Sequence, residues 1–129
     1  MFCKMISRQI LAYIIDENEY VITILSLENH PLIIPKKHVE NIFDLDEQLG
    51  AQIMKESIKI SVAVKNALKC DGVNIIQSNG SAAGQDVFHY HMHIKPRFID
   101  DLVKISWNTA IVENDLREES LKLIVSNLK

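Results

Sequence analysis

Three histidines in strict alternation, His89, His91 and His93, constrain this chain more than any other feature of its sequence. The residues beside them in the chain are apolar: Phe88, Tyr90, Met92 and Ile94. In a β-strand, successive side chains point to opposite faces, and residues two apart lie roughly 6.6–7 Å from each other. The pattern therefore predicts a strand that ends at Pro96, with the apolar side chains in a core and three imidazoles in a row on the other face.

The length and charge of the chain exclude several classes of protein. Its 129 residues fit a single domain, residues 1–129, that can form a core without disulfides or a structural metal. The 14 basic and 17 acidic residues give a net charge of −3, too balanced for non-specific binding of nucleic acid or a membrane surface. A membrane span needs about 18 apolar residues in a row, and neither such a run nor a signal peptide is found. Cys3 and Cys70 form no close-spaced pair, so we expect a cytoplasmic protein with free thiols.

Hydrophobic periodicity and turn signals predict the secondary structure. Strands are expected over residues 11–15, 19–27, 31–35 and 73–77, with a turn at 16–18 and a helical turn at 39–43. Helices are expected over 46–69, capped by Asp44 or Asp46, and over 113–127, with residues 97–111 irregular. Because strands and helices are segregated along the chain, the sequence predicts an α+β fold with a mainly antiparallel sheet.

The long helix carries a broad apolar face. Its members are Leu49, Ile53, Ile60, Val64 and Leu68, widened by Met54, Ile58 and Val62. This breadth suits a helix that packs on a sheet and leaves some surface for a second subunit, although an ordinary core helix has a similar pattern.

Small and turn-forming residues occupy positions 78–84, directly before the histidines. Gly80 and Gly84 would let the backbone approach an anion, and successive N–H groups there can form an anion-binding concavity. The same composition is also typical of a plain turn, so the loop supports a phosphate site only in combination with the histidines.

The histidine row itself is compatible with three interpretations. Neighbouring imidazoles could share a metal ion, but His89 and His93 would lie about 13 Å apart, so a third ligand would have to come from elsewhere. Alternatively, one imidazole could attack phosphorus while its neighbours supply protons or hydrogen bonds. The third interpretation, solvent-facing histidines without a function, is the least favoured because chance seldom places three histidines in alternation.

The segment Gly84-Gln85-x-Val87-x-His89-x-His91-x-His93-Ile94-x-Pro96-Arg97 resembles the signature of the histidine triad (HIT) superfamily of nucleotide hydrolases and transferases. Three further segments are similar to the family: Phe2-Cys3-Lys4, the stretch from His30 to His38, and Phe43-Asp-Leu-Asp. The resemblance covers most of the chain up to about Arg97.

This resemblance implies a homodimer, each subunit with a five-stranded antiparallel sheet, one long helix and a C-terminal helix. It also implies a small nucleotide substrate, usually a purine one, and no cofactor. His91 would attack the α-phosphate to form a nucleotidyl-histidine, which water then hydrolyses. His89 and His93 match positions that contact the phosphate or leaving group, and His30 matches a further histidine near the nucleophile.

The resemblance also implies a set of nucleotide-binding residues: Gly84, Gln85, Asp86, Val87, Ser26, Leu27, and either Ser78 or Asn79. The chain departs from the family in three places. Ser26 stands where relatives have a ribose-binding aspartate, the segment from there to His30 is about four residues shorter than usual, and Asp86 replaces a serine or threonine. Some relatives bind a structural zinc through Cys-x-x-Cys and histidines, one of them at the position of His38. Because only Cys3 is available here, we expect no metal.

The sequence therefore leads to a primary hypothesis and two alternatives. The primary hypothesis is a nucleotide phosphoramidase or dinucleoside polyphosphate hydrolase. The first alternative is a nucleotide-binding regulatory module with little turnover, suggested by Ser26, Asp86 and the shortened segment. The second alternative is a metal-binding protein.

Overall fold

The computed structural model describes residues 1–128 as an α+β domain built on one five-stranded antiparallel sheet. The elements in chain order are α1 (Phe2–Ile6), β1 (Tyr13–Glu17), β2 (Val21–Leu25), β3 (Pro31–Pro35), α2 (Glu47–Leu68), β4 (Gly72–Ile76), β5 (Met92–Arg97) and α3 (Asn114–Ser126). Two short 3₁₀ turns, Ile42–Asp44 and Ser81–Ala83, precede α2 and β5. The strand order is β1-β2-β3-β5-β4, so the predicted fold class is confirmed.

Helix α2 covers one face of the sheet. The side chain of Asp46 accepts a hydrogen bond from the backbone N–H of Leu49 at 2.7 Å, which caps the helix as predicted. Lys69, in the left-handed conformation with φ of 54°, ends it. Of the predicted stripe, Leu49, Ile53, Ile60 and Val64 are buried, whereas the prediction is wrong for Leu68, which is half exposed.

A second, smaller core lies on the opposite face of the sheet. It consists of Phe2, Ile22, Ile24, Leu32 and Ile34. Helix α1 supplies Phe2 to this core, and the sequence did not reveal the helix because five residues are too few to show a helical period. The histidines lie on this same side, so α1 packs beside the site.

The strand ends differ from the prediction where side chains form local turns. Asn18 accepts hydrogen bonds from the N–H groups of Tyr20 and Val21, at 2.8 and 3.0 Å, and this places the turn after Glu17 rather than at 16–18. Strand β2 ends at Leu25, short of the expected residue 27, because Ser26 already begins the next turn.

The histidine segment is only partly a strand. β5 begins at Met92, so His89 and His91 precede the ladder, but the alternation of faces persists through them. Tyr90, Met92 and Ile94 enter the core under α2, as expected. The expectation for Phe88 is wrong, because its side chain is 45% exposed.

The chain after β5 leaves the sheet. Residues 102–113 are irregular and α3 follows, as predicted, yet every side chain from 102 to 128 is exposed. We call residues 102–128 the C-terminal arm. Its first turn is held by Arg97, which donates to Asp101 at 2.7 Å, to Asn74 at 2.6 Å and to the carbonyl of Val103 at 2.7 Å. None of the helices in the described part of the chain has the length and apolar character needed to cross a bilayer.

Candidate active site

The backbone carbonyl of His89 fixes the tautomer of the His91 ring. Its Nδ1–H donates to the carbonyl oxygen of His89 at 2.7 Å, and the ring packs edge-on against Phe2 with centroids 5.1 Å apart. Because a carbonyl can only accept, the proton of the neutral ring must be on Nδ1. The Nε2 atom of His91 therefore carries the lone pair, which is the form a nucleophilic imidazole needs.

His93 and His30 form a direct pair. Nε2 of His30 lies 2.9 Å from Nδ1 of His93. Burial, followed by the neighbouring His91 and His30, lowers the pKa of His93 to about 4, and burial followed by Lys95 lowers the pKa of His30. Both rings are therefore neutral at neutral pH.

His89, the first member of the triad, has a different environment. Its Nε2–H donates to the carbonyl of Pro35 at 2.8 Å, which leaves the lone pair on Nδ1. That Nδ1 lies 3.5 Å from the Sγ of Cys3 and 3.2 Å from Nδ1 of His38, and Sγ lies 3.5 Å from Nδ1 of His38. We call these residues the Cys3–His38–His89 cluster. The triad is thus divided, with His91 and His93 at one location and His89 at another.

The Cys3–His38–His89 cluster fits a tetrahedral metal ion. Zinc bonds of about 2.3 Å to sulfur and 2.0–2.1 Å to nitrogen place tetrahedral ligands about 3.6 Å apart for S and N, and about 3.3 Å apart for two N. The observed separations of 3.5 and 3.2 Å match these values. The carbonyl of Pro35 orients His89 from behind, as partners of metal-binding histidines do. The sequence argument missed this arrangement because it counted only cysteines.

A cavity of about 480 Å³ opens beside His91 and His93. Its remaining polar lining consists of Ser26, Glu28 and Asp86. Most of its wall is apolar and includes Phe2, Leu11, Tyr13, Ile24, Leu25, Leu27 and Val87. A mostly apolar cavity with a few convergent polar groups is the usual form of a small-molecule site. Glu28 is a lining residue that sequence reasoning passed over, although its place within the shortened segment from Ser26 to His30 was a usable signal.

The glycine loop, which the sequence suggests as an anion site, holds several of its N–H groups in internal hydrogen bonds. Gly80 and Gly84 adopt φ of 91° and 94°, a region that favours glycine. The N–H of Gly80 donates to the buried side chain of Gln85 at 2.7 Å, and the N–H groups of Gly84 and Gln85 donate to Ser81 and Gly80. These N–H groups are therefore engaged within the loop. Gln85 also donates to the carbonyl of Glu40 at 2.8 Å, so it braces the loop against the segment before α2.

Of the two alternative residues Ser78 and Asn79, only Asn79 bonds to the 3₁₀ turn at Ile42–Asp44. The side-chain oxygen of Asn79 accepts from the N–H of Ile42 at 2.8 Å and pairs with Gln77 at 2.7 Å. The carbonyl of Ser78 accepts a weaker bond from Gln77 at 3.2 Å. Neither residue lines the cavity, whereas Ser26, Leu27, Asp86, Val87, His91 and His93 all do.

Comparison with known proteins identifies the family of this chain. A model of the family described as the HIT domain matches residues 8–100. "Protein hit" of Bacillus subtilis is 35% identical over 133 residues, covering 99% of this chain and 90% of that protein. A crystal structure of a HIT family protein from Bacillus anthracis superposes with a TM-score of 0.92 at 32% identity, covering 100% of this chain and 96% of the other. The chain belongs to the HIT family.

The relatives with an assigned reaction include a phosphoramidase. Adenosine 5'-monophosphoramidase HNT1 of Saccharomyces cerevisiae is 32% identical over 101 residues, which cover 75% of this chain and 61% of that protein. The family to which this chain belongs thus includes a hydrolase that acts on a nucleotide.

The geometry of the Cys3–His38–His89 cluster predicts that the protein binds a metal ion, whereas the sequence predicts none. We expect the protein to take up one divalent ion through Cys3, His38 and His89. With cobalt as the probe, wild-type protein should show the thiolate-to-metal absorption band of a tetrahedral site. Cys3→Ser should lose the band, while Cys70→Ser, which removes the thiol buried in the core under α2, should keep it. A wild-type protein without the band would show that the three donors do not form a site.

The low pKa of His93 predicts how stability depends on pH. In the unfolded chain His93 has the ordinary histidine pKa of 6.5, but in the folded protein its pKa is about 4. Between these values the unfolded state binds more protons, so the free energy of unfolding falls as the pH drops from 6.5 to 4, by at most about 1.4 kcal/mol per pH unit for one group. Urea unfolding across this window should show a shallower fall for His93→Gln than for wild type. Equal slopes in the two proteins would contradict the prediction.

Proposed function

We propose that this chain is a nucleotide hydrolase or transferase that acts on the α-phosphate of a nucleoside phosphoramidate or dinucleoside polyphosphate, with a purine as the base. The observation that carries the proposal is the hydrogen bond of 2.7 Å from Nδ1–H of His91 to the carbonyl of His89. It leaves the Nε2 lone pair of His91, a residue of the cavity wall, available for attack on phosphorus.

The chemistry divides into two displacements. In the first, the Nε2 lone pair of His91 forms a bond to the α-phosphorus while the bond from phosphorus to the leaving group breaks, and the leaving group departs with its electron pair and gains a proton. In the second, a water oxygen attacks the phosphorus and loses a proton, and the bond from phosphorus to Nε2 breaks. The products are the leaving group, a nucleoside monophosphate and the original neutral imidazole.

The cavity supports a nucleoside ligand. Its apolar wall can accept a flat base, and its volume of about 480 Å³ suits a molecule of nucleotide size. Asp86 is the unusual part, because a carboxylate in the wall repels a phosphate. The phosphate is therefore expected closer to His91 and His93 than to Asp86. Among the predicted contacts, Ser26, Leu27 and Val87 lie in the cavity wall, and we expect them to line the nucleoside part.

The metal site would have a structural role in this scheme. Cys3, His38 and His89 would hold the ion, and an ion bound there would tie α1 to the segment that precedes β5. This cross-link would hold the backbone carbonyl of His89 in place, and that carbonyl orients His91.

Specific features also favour the second function, a nucleotide-binding module with little turnover. The carboxylate of Asp86 lies in the cavity wall, and the hydroxyl of Ser26 is engaged with His30 at 3.3 Å. Calorimetry with AMP and GMP beside a turnover assay separates the two functions. Binding without turnover would favour the module.

Removal of His91 should abolish the covalent step. We expect His91→Gln to lose at least about a thousandfold in turnover of an adenosine phosphoramidate or a diadenosine polyphosphate, because a glutamine amide is not nucleophilic. Mass spectrometry of acid-quenched wild type should show the added mass of one nucleotidyl group, and His91→Gln should show none. Turnover by His91→Gln, or turnover without any covalent adduct in wild type, would contradict the assignment of His91 as nucleophile.

We also propose that the chain forms a homodimer in the cytoplasm. The outer side of α2 exposes Met54, Ile58 and Val62, and β4 is an unpaired edge strand. The C-terminal arm starts at that edge, because Arg97 pairs with Gly72 of β4. In a two-fold arrangement across this edge, the arm of each copy would cross onto the other.

The exposure of the C-terminal arm supports this assembly. The superposition with the Bacillus anthracis protein covers 100% of the chain at a TM-score of 0.92, so the arm is part of the shared fold. Residues 102–128 are all exposed in a single copy, and apolar side chains such as Trp107 and Ile111 are 75% and 95% accessible. A second copy would cover this apolar surface and fix the course of the arm.

Trp107, the single tryptophan of the chain, reports on this interface. At high concentration light scattering should give the mass of a dimer, and Trp107 should resist quenching by acrylamide. Dilution or the change Ile58→Glu on α2 should produce monomers in which Trp107 is quenched freely, as its 75% exposure in one copy predicts. A monomeric protein whose Trp107 quenching does not depend on concentration would refute the interface.

A further inference from the structure

Glu56 of α2 is a buried carboxyl group that the proposed reaction does not use. The residue is only 5% exposed, and the hydroxyl of Thr23 in β2 donates to its Oε1 at 3.1 Å. A small cavity of about 240 Å³ lies beside it, and its other lining residues are Asn18, Gln52, Lys55 and Lys59. Because an unpaired charge is costly to bury, a carboxyl group in this place needs either a charged partner or a proton.

A bulge in β1 brings a second carboxyl group to Glu56. The pairing of β1 with β2 slips by one residue between Ile14 and Asp16, so that Ile15 is an extra residue. Asp16 is thereby placed opposite Thr23, on the side of the sheet that α2 covers. Without the bulge, Ile15 would lie there and Asp16 would point to the other face. In this position the side chain of Asp16 forms a hydrogen bond with that of Glu56.

A hydrogen bond between two carboxyl groups requires a proton on one of them, because an ionised carboxylate only accepts. Two observations assign this proton to Glu56. Nζ of Lys59 lies 2.6 Å from Oδ2 of Asp16, and this bond lowers the pKa of Asp16. Burial, followed by the neighbouring Asp16, raises the pKa of Glu56, although the bond from Thr23 acts in the opposite direction.

We propose that Asp16 and Glu56 share one proton in the folded protein and that this Asp16–Glu56 pair makes the contact between β1 and α2 sensitive to pH. With the proton in place, the carboxyl group of Glu56 accepts from Thr23 and donates to Asp16. The carboxylate of Asp16 also accepts from Lys59. Loss of the proton leaves two carboxylates in contact, one of them buried, and these repel each other.

Strand β1 is the element that this repulsion would loosen. It is an edge strand, bonded to β2 alone, and the side chains of Tyr13, Ile14 and Ile15 are exposed, so few apolar contacts hold it. Glu17, the next residue after Asp16, does not contribute to the pair, because it lies on the other face and forms ion pairs with Arg8 and Lys36. Tyr13 also lines the cavity beside His91, so a looser β1 would disturb that wall as well.

Titration of the side-chain carboxyl groups by ¹³C NMR tests the shared proton in wild type. We expect the pKa of Glu56 to lie above the ordinary value of 4.5 and that of Asp16 to lie below 3.8. Asp16→Asn should lower the pKa of Glu56, because it removes the neighbouring charge. Thr23→Val should raise it further, because the donor to the ionised form is lost. A wild-type Glu56 that titrates at or below 4.5 would overturn the proposal.

Urea unfolding measures the effect of the proton on stability. Between pH 4.5 and the folded pKa of Glu56, the folded state binds more protons than the unfolded state. The unfolding equilibrium constant should therefore rise with pH, by up to about tenfold per pH unit for one group. Glu56→Gln keeps an amide donor for Asp16 but does not ionise, so it should lack this rise. His93 lies in a separate site and acts on both proteins alike, so their difference isolates Glu56. Parallel curves for the two proteins would refute the pair.

Hydrogen exchange locates the loosening. Above the folded pKa of Glu56, the amides of β1 should exchange faster in wild type than in Glu56→Gln at the same pH, and those of β3 should differ less. Comparison at one pH cancels the intrinsic dependence of exchange on hydroxide. Equal exchange of the β1 amides in the two proteins would show that the proton does not hold β1 on α2, and would refute the proposed sensitivity to pH.

Discussion

The position of β5 between β3 and β4 is the constraint on which the site depends. In this register His93 lies opposite both Leu32 of β3 and Ile76 of β4. The pairing places Met92 and Ile94 in the core under α2 and turns His93 towards the opposite face. A shift of one residue in the pairing of β5 would turn His93 into the core and Met92 and Ile94 to the opposite face. The burial of Met92 and Ile94 therefore also determines where His93 points.

The same register brings His30 to His93. Because His30 precedes Leu32 by two residues, both lie on the same side of β3, and the tight turn that starts at Ser26 holds the His30 ring against the end of the row. His89 precedes the strand and bends towards Cys3 and His38 instead. One continuous motif thus contributes to two separate sites. His91 and His93 line the cavity, whereas His89 joins Cys3 and His38 in a cluster of possible metal ligands.

Three surface regions outside the cavity are rich in exposed apolar side chains. The outer side of α2, the β4 edge and the C-terminal arm carry apolar groups that one copy leaves in water. Apolar area of this extent is unusual on a protein that remains alone in solution. The arrangement fits the proposed homodimer, in which residues 102–128 would pack on a second copy.

The sequence by itself determined the features that depend on local pattern. The alternation around the histidines, the capped periodic helix that begins at Asp46, the strand Pro31–Pro35 and the α+β class all follow from periods of 2 and 3.6 and from capping chemistry, and the motif identified the family. Local errors occurred where a side chain closed a turn, as at Asn18, or where an element was too short to show a period, as in α1.

Only the tertiary structure decided which residues meet. His30 and His93 are 63 residues apart in the chain, and Cys3 and His89 are 86 apart, so no local spacing could pair them. The sequence also did not show that Gln85 bonds to the carbonyl of Glu40 or that Ser26 bonds to His30. The type of a residue does not reveal whether its side chain bonds within the protein or to a ligand. The pattern specified the faces of the sheet, and the folded register specified the site.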